Sequence, residues 1–260
     1  MHEKCLLVGV YMKYHIDTIP VWDALRQGGE CLLCTLESTI EKSYIESFLG
    51  ASVMESDTRL EVNRKGFCPH HFAMLYSAQN RLGLALMTHT YLQEIEKKFE
   101  QITKSLLNDI SKSYSSPIAL FFSKGKSNPV AEFTQSISQQ NSDCVICDRM
   151  ENTLNRYAYT TLHLWDTDAE FKAILMSSRG FCLLHLSTTI EIAKETQSHK
   201  KLEQWIKDIL PLTVNTLKLL EEELYWFTQK FDYRNQDKPW GNSKDALPRV
   251  LQKLAGRFMV

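Results

Sequence analysis

The chain has 260 residues, 43% of them hydrophobic and 23% charged, enough to bury a core in one large or two small domains. Thirty basic residues against thirty-one acidic ones give a formal net charge of -1, which argues against the basic footprint of a nucleic-acid binder. Ten Gly and seven Pro exclude a collagen-like or low-complexity chain, and no uncharged apolar run approaches the roughly 20 residues that span a bilayer.

Residues 1–11 form a short apolar start with no cleavage pattern after it. They are expected to be an extension ahead of a working start at Met12. Without an export signal the expected compartment is a reducing cytoplasm, where cysteines serve as ligands or redox groups more often than as disulfides. Pro20 belongs to the first turn of a helix with Val21, Trp22 and Leu25 on its apolar face, stopped by Gly28-Gly29. From Cys34 to Leu49 the residues Leu36, Ile40, Tyr44, Ile45 and Phe48 recur at helical spacing, and Gly50 ends the run. Thr58 to Asn63 is expected as a short helix. After His71, Leu84, Met87, Tyr91, Ile95, Phe99, Ile102, Leu106 and Ile110 step by three or four, the stripe of one long amphipathic helix. The stripe is expected to face the core, with a dimerisation seam as the alternative.

Residues 111–143 break this pattern. Nine of these 33 residues are Ser, with Pro117, Gly125 and Pro129 among the rest, so the segment reads as a linker. Within it, 118–122 is an apolar patch expected to dock on the body. Beyond the linker, Leu154, Tyr157, Thr161, Leu162 and Trp165 fit a helix after Cys147, and Leu210, Val214, Leu217, Leu220, Leu224 and Phe227 fit a long helix that Pro211 starts or kinks. Residues 231–260 mix aromatics with charges. They are expected to form a C-terminal strap with Trp240 on the body and a last helix capped by Ser243 or Asp245. A docking loop built on Tyr233, Arg234 and Trp240 is the alternative. No segment alternates like a strand, so the expected fold class is all-α, with two helical repeats packed through their long amphipathic helices.

The cysteines repeat. Cys31 and Cys34 recur as Cys144 and Cys147, shifted by 113 positions; Cys68 and His71 recur as Cys182 and His185, shifted by 114. Gly66-Phe67 and Gly180-Phe181 precede the second motif in both copies. Each copy spells C-x2-C and, after a gap, C-x2-H, a donor set of three thiolates and one imidazole that suits a tetrahedral structural zinc ion. The expectation is two zinc ions per chain, each closed within one copy: Cys31, Cys34, Cys68 and His71 in residues 12–110, and Cys144, Cys147, Cys182 and His185 in 144–230. The repeat selects His71 over His70, because only His71 aligns with His185. Gly66 and Gly180 are placed to take positive φ ahead of a ligand cysteine, and Arg64, Lys65 and Arg179 to offset the negative cage. An iron–sulfur cluster or a redox pair is the alternative use of the same cysteines.

The chain resembles a bacterial domain-of-unknown-function family, number 6062. The resemblance rests on residues 15–23 (HIDTIPVWD), both C-x2-C pairs, both GFC-x2-H elements, residues 80–86 (NRLGLAL) and the tail Phe231 to Arg249. It covers roughly 12–255 and implies no activity. No metalloprotease, nucleotide-binding or serine-hydrolase motif is present, and four protein ligands close a zinc shell, so an enzyme is the weaker reading. The leading expectation is a binding or scaffold protein, monomeric or homodimeric, with a protein partner, no nucleic acid and no membrane span. A metal-dependent redox or metal/thiol-sensing protein is the alternative.

Overall fold

Helix-forming stretches punctuated by Gly, Pro and Ser build the fold seen in the computed structural model, which describes residues 16–114 and 129–257. Helix α1 covers 16–27, α2 Leu32–Leu49, α3 Ser56–Lys65, α4 Pro69–Ser77, α5 Arg81–Tyr114, α6 Pro129–Ser142, α7 Val145–Thr167, α8 Ala169–Ser177, α9 Leu183–Thr196, α10 His199–Gln229 and α11 Ala246–Ala255. Single 3-10 turns lie at Ala51–Met54, Tyr233–Asn235 and Gly241–Ser243. Among the described residues there is no strand, as the missing alternation predicts, and no helix long and apolar enough to cross a membrane.

The chain divides into two units. The described residues of 1–40 and 150–260 form the first, and those of Glu41–Arg149 form the second. The units do not follow the order of the repeats: α2 begins in the first unit and ends in the second, and α7 does the reverse.

The core of the first unit is aromatic. Trp205, Phe171 and Phe181 are fully buried; Trp205 meets Trp165 edge-on at 5.2 Å between centroids, and Phe171 meets Trp22 at 5.1 Å. In the second unit Phe48 and Phe67 meet edge-on at 5.6 Å, with Val62, Leu75 and Met87 buried around them. Phe67 and Phe181 stand in the same place in the two copies and are buried in both. Each anchors the turn that carries the next cysteine.

Two helices depart from expectation. Only the first turns of the α5 stripe are core: Leu84 and Met87 are buried, but Phe99 is half exposed. The distal half instead packs on α6, with Phe99 and Phe133 5.9 Å apart. Helix α6 occupies part of the expected linker, because Val130, Phe133 and Ile137 keep helical spacing among its polar residues. The apolar patch 118–122 and the extension 1–11 lie outside the described residues. Pro211 sits inside α10 and does not start it; the helix opens at Ser198, whose hydroxyl accepts from the Lys201 N–H. The tail lies on the body as a strap. Trp240 packs on Phe227 at 5.9 Å, and the Trp226 Nε1–H donates to the Pro239 carbonyl. Asp245 precedes α11 without a side-chain cap and pairs with Arg249 at 3.0 Å.

Candidate metal centres

All eight donors lie at helix starts. Cys31 precedes α2 and Cys144 precedes α7; Cys34 and Cys147 fall in the first turns of these helices. Cys68 and Cys182 are the N-cap residues of α4 and α9, with His71 and His185 one turn on. A cysteine there faces unpaired backbone N–H groups and the positive end of the helix dipole, both of which favour thiolate. The Cys34 and His185 N–H groups donate to the Cys31 and Cys182 sulfurs, each at 3.4 Å.

The donors gather into two groups of four, each with every ligand atom within 4.8 Å of the others: Cys31, Cys34, Cys182 and His185, and Cys68, His71, Cys144 and Cys147. The eight residues are those the repeat picks out, but the grouping corrects the expectation of one cage per copy. Each group joins the C-x2-C of one copy to the C-x2-H of the other. The physical reason is helix length. The 18 residues of α2 carry the chain about 27 Å from Cys31, and α3, with 10 residues, retraces only about 15 Å of it. The 23-residue α7, about 35 Å long, and the nine-residue α8 repeat the mismatch. Matching backbone bonds join the turns: the Leu32 N–H donates to the Gly180 carbonyl (3.2 Å) in the first unit, and the Val145 N–H to the Gly66 carbonyl (3.1 Å) in the second. Gly66 and Gly180 have φ of 67° and 70°, the positive values expected of them.

The spacing tests the fit of an ion. Bonds of about 2.3 Å to sulfur and about 2.0–2.1 Å to nitrogen give tetrahedral edges of about 3.8 Å (S···S) and about 3.5 Å (S···N). Cys34 and Cys182 sulfurs are 3.7 Å apart, and those of Cys68 and Cys147 3.8 Å. His185 Nδ1 lies 3.3–3.4 Å from Cys31, Cys34 and Cys182, and His71 Nδ1 3.2–3.3 Å from Cys68, Cys144 and Cys147. These separations are far beyond a disulfide bond.

Both imidazoles present Nδ1 to the sulfurs and leave Nε2 for a carboxylate. His71 Nε2 lies 3.2 Å from Glu41, which also meets His70 Nε2 at 3.0 Å; His185 Nε2 lies 3.9 Å from Glu37. Such partners fix the ring and its tautomer. His70 is thus a supporting residue, as its mismatch in the repeat implies.

The close sulfurs perturb one another's ionisation. Hydrogen bonds with Cys182 and Cys31 and burial push the Cys34 thiol far up, while donation by Cys31 and Cys34 pulls Cys182 far down. Burial opposes charge on His185, but the facing Cys182 and Cys31 sulfurs outweigh it and the ring is pushed up to about 10. In the second centre burial raises both Cys144 and Cys147. Sulfurs this close cannot all ionise unless a cation replaces their protons.

Outside the first cage, Lys253, which the sequence reading passed over, adds its positive charge to that of Arg179. Lys253 of α11 is fully buried; its Nζ donates to the Glu30 carbonyl at 2.9 Å and to the Arg179 carbonyl. Those carbonyls lie in the two cysteine turns, so one ammonium ties them together. The Glu30 carboxylate meets Arg179 at 3.3 Å and Arg249 at 3.4 Å. In the second unit Lys65 pairs with Asp148. The signal for Lys253 was its register: Ala246, Val250 and Lys253 share one face of α11.

These features define a protein that is helical throughout its described residues, with two Cys3His groups that could each hold a metal ion. The chain belongs to the family of unknown function DUF6062, whose model matches residues 12–260. Comparison with curated proteins and with solved structures found no match.

Proposed function

We propose that this chain binds two structural zinc ions, one on Cys31, Cys34, Cys182 and His185 and one on Cys68, His71, Cys144 and Cys147, and acts as a non-enzymatic binding or scaffold protein in the cytoplasm. The observation that carries the reading is the tetrahedral spacing of both donor groups. Three sulfurs and one nitrogen complete a zinc shell and leave no open position for a substrate, which favours a structural over a catalytic ion. Zinc suits the single imidazole better than a cluster, which is usually held by four cysteines. None of these six cysteines is paired in a disulfide, so their sulfurs are available as ligands. The ions would hold together helix starts distant in sequence and present the helical surface to a protein partner.

Elemental analysis and absorption of the purified protein test this. The expected result is a colourless protein with about two zinc ions per chain. Brown colour with iron and visible absorption would replace zinc by a cluster. Absence of metal, together with an unchanged melting curve after chelation, would end the metal reading.

A further inference from the structure

The two centres are alike in donors and unlike in access. Cys31, Cys34, Cys182 and His185 are all buried, whereas Cys147 is exposed and Cys68 is partly so. Helix α11 contributes to the difference. Its C-cap Gly256 lies against the first centre, where even a β-carbon would stand 4.0 Å from the Cys182 sulfur. In the second centre Cys147 lies in the first turn of α7 and Cys68 caps α4, so the two accessible sulfurs both sit at helix N-termini. They are 3.8 Å apart and need to close by about 1.8 Å to reach disulfide length.

We infer that the Cys68–Cys147 edge of the second centre is a modification site for peroxides and soft electrophiles, and that the first centre is shielded from the same reagents. With peroxide, the Cys147 thiolate attacks one oxygen; an S–O bond forms, the O–O bond breaks and hydroxide leaves. The Cys68 thiolate then attacks the sulfenic sulfur; the S–S bond forms, the S–O bond breaks and a second hydroxide leaves. Two thiolates lose two electrons, and one peroxide is reduced to two hydroxides. An alkylating agent such as iodoacetamide forms one S–C bond at Cys147 and releases iodide. Either reaction removes ligands from the second centre. Release of a metal ion rests on the zinc reading above; the order in which the thiols react does not.

The test treats the full chain with substoichiometric hydrogen peroxide, traps remaining thiols with N-ethylmaleimide and maps the peptides by mass. A zinc-sensitive dye and tryptophan emission are read in parallel. All five tryptophans (Trp22, Trp165, Trp205, Trp226 and Trp240) belong to the first unit, so their emission reports that unit. The expected result is a Cys68–Cys147 disulfide, Cys31, Cys34 and Cys182 trapped as thiols, about one zinc released per chain and unchanged emission. Iodoacetamide on the unaltered protein should label Cys147 at least about tenfold faster than Cys182. Oxidation or labelling of Cys31, Cys34 or Cys182 as fast as Cys147 would overturn the inference. A disulfide within the first centre would do the same. Starting protein without metal would sink the zinc reading alone, because the mapped order of thiol reaction still decides this one.

Discussion

Lys253→Met isolates what the buried ammonium does for the first unit. The substitution keeps most of the apolar stem and removes the charge. The Glu30 and Arg179 carbonyls then lose a donor in a buried place, at about 1–3 kcal/mol each. Against this, the ammonium no longer has to be desolvated; burial holds the Lys253 pKa below its ordinary value, so part of that penalty is present in the native protein. The balance is a loss of about 2–4 kcal/mol, or roughly 5–12 °C in Tm for a chain of this size. Thermal unfolding followed by tryptophan emission reads the first unit directly. Lys244→Met, at an exposed position before the same helix, should stay within about 0.5 kcal/mol of the parent and serves as the control. If Lys253→Met unfolds within that margin too, the ammonium does not join the two cysteine turns and the argument fails.

Three further outcomes are expected. Glu41→Gln should weaken metal retention in the second centre by about 10–100-fold, measured by competition with a chelator, because it loosens the carboxylate on His71 Nε2; retention in the first centre should not change. Gly66→Ala should destabilise the second unit more than Gly180→Ala destabilises the first, by about 1–3 kcal/mol. Both positions have positive φ, but a β-carbon at 66 would meet the Tyr91 ring at 2.3 Å and one at 180 would meet Leu212 at 3.2 Å. Calorimetry on both variants decides it. Asp208 supplies a pH test. Burial pushes its carboxyl up, but Lys172, Gln204 and the Trp165 indole outweigh that and hold it below its ordinary 3.8. Its stabilisation is therefore full above pH 3.8 and is lost as pH falls through the lower native value. Asp208→Asn should flatten that acid limb in the tryptophan signal, and an unchanged limb would refute the assignment.

The eight donors were legible because a ligand pair must reach one ion from a single turn, and that forces a two-residue gap wherever it occurs. Their pairing was not. A duplicated motif offers two closed solutions with the same donors, and spacing is blind to the choice; the lengths of α2 and α7 make it. The helices were legible from periodic residues such as Leu36, Ile40 and Tyr44, and α6 was missed because Ser and Gln mask Val130, Phe133 and Ile137. Lys253 was passed over although its register with Ala246 and Val250 places it on the inner face, since a lysine on an amphipathic helix ordinarily lies at the solvent side. Glu41 acts on an imidazole 30 positions away, beyond any local pattern.

The crossed pairing has a consequence for how the chain is made. The donors of one group span 79 positions and those of the other 154, and the shorter stretch is nested wholly inside the longer. As the polypeptide leaves the ribosome, the inner cage can close once Cys147 has emerged, while the outer one waits for His185. Early closure would shorten the effective loop that the outer pair must still span, which favours assembly from the inside outward. Cutting the chain between Cys68 and Cys144 would leave neither fragment with a complete donor set, and the two pieces could regain both cages only by finding each other in trans.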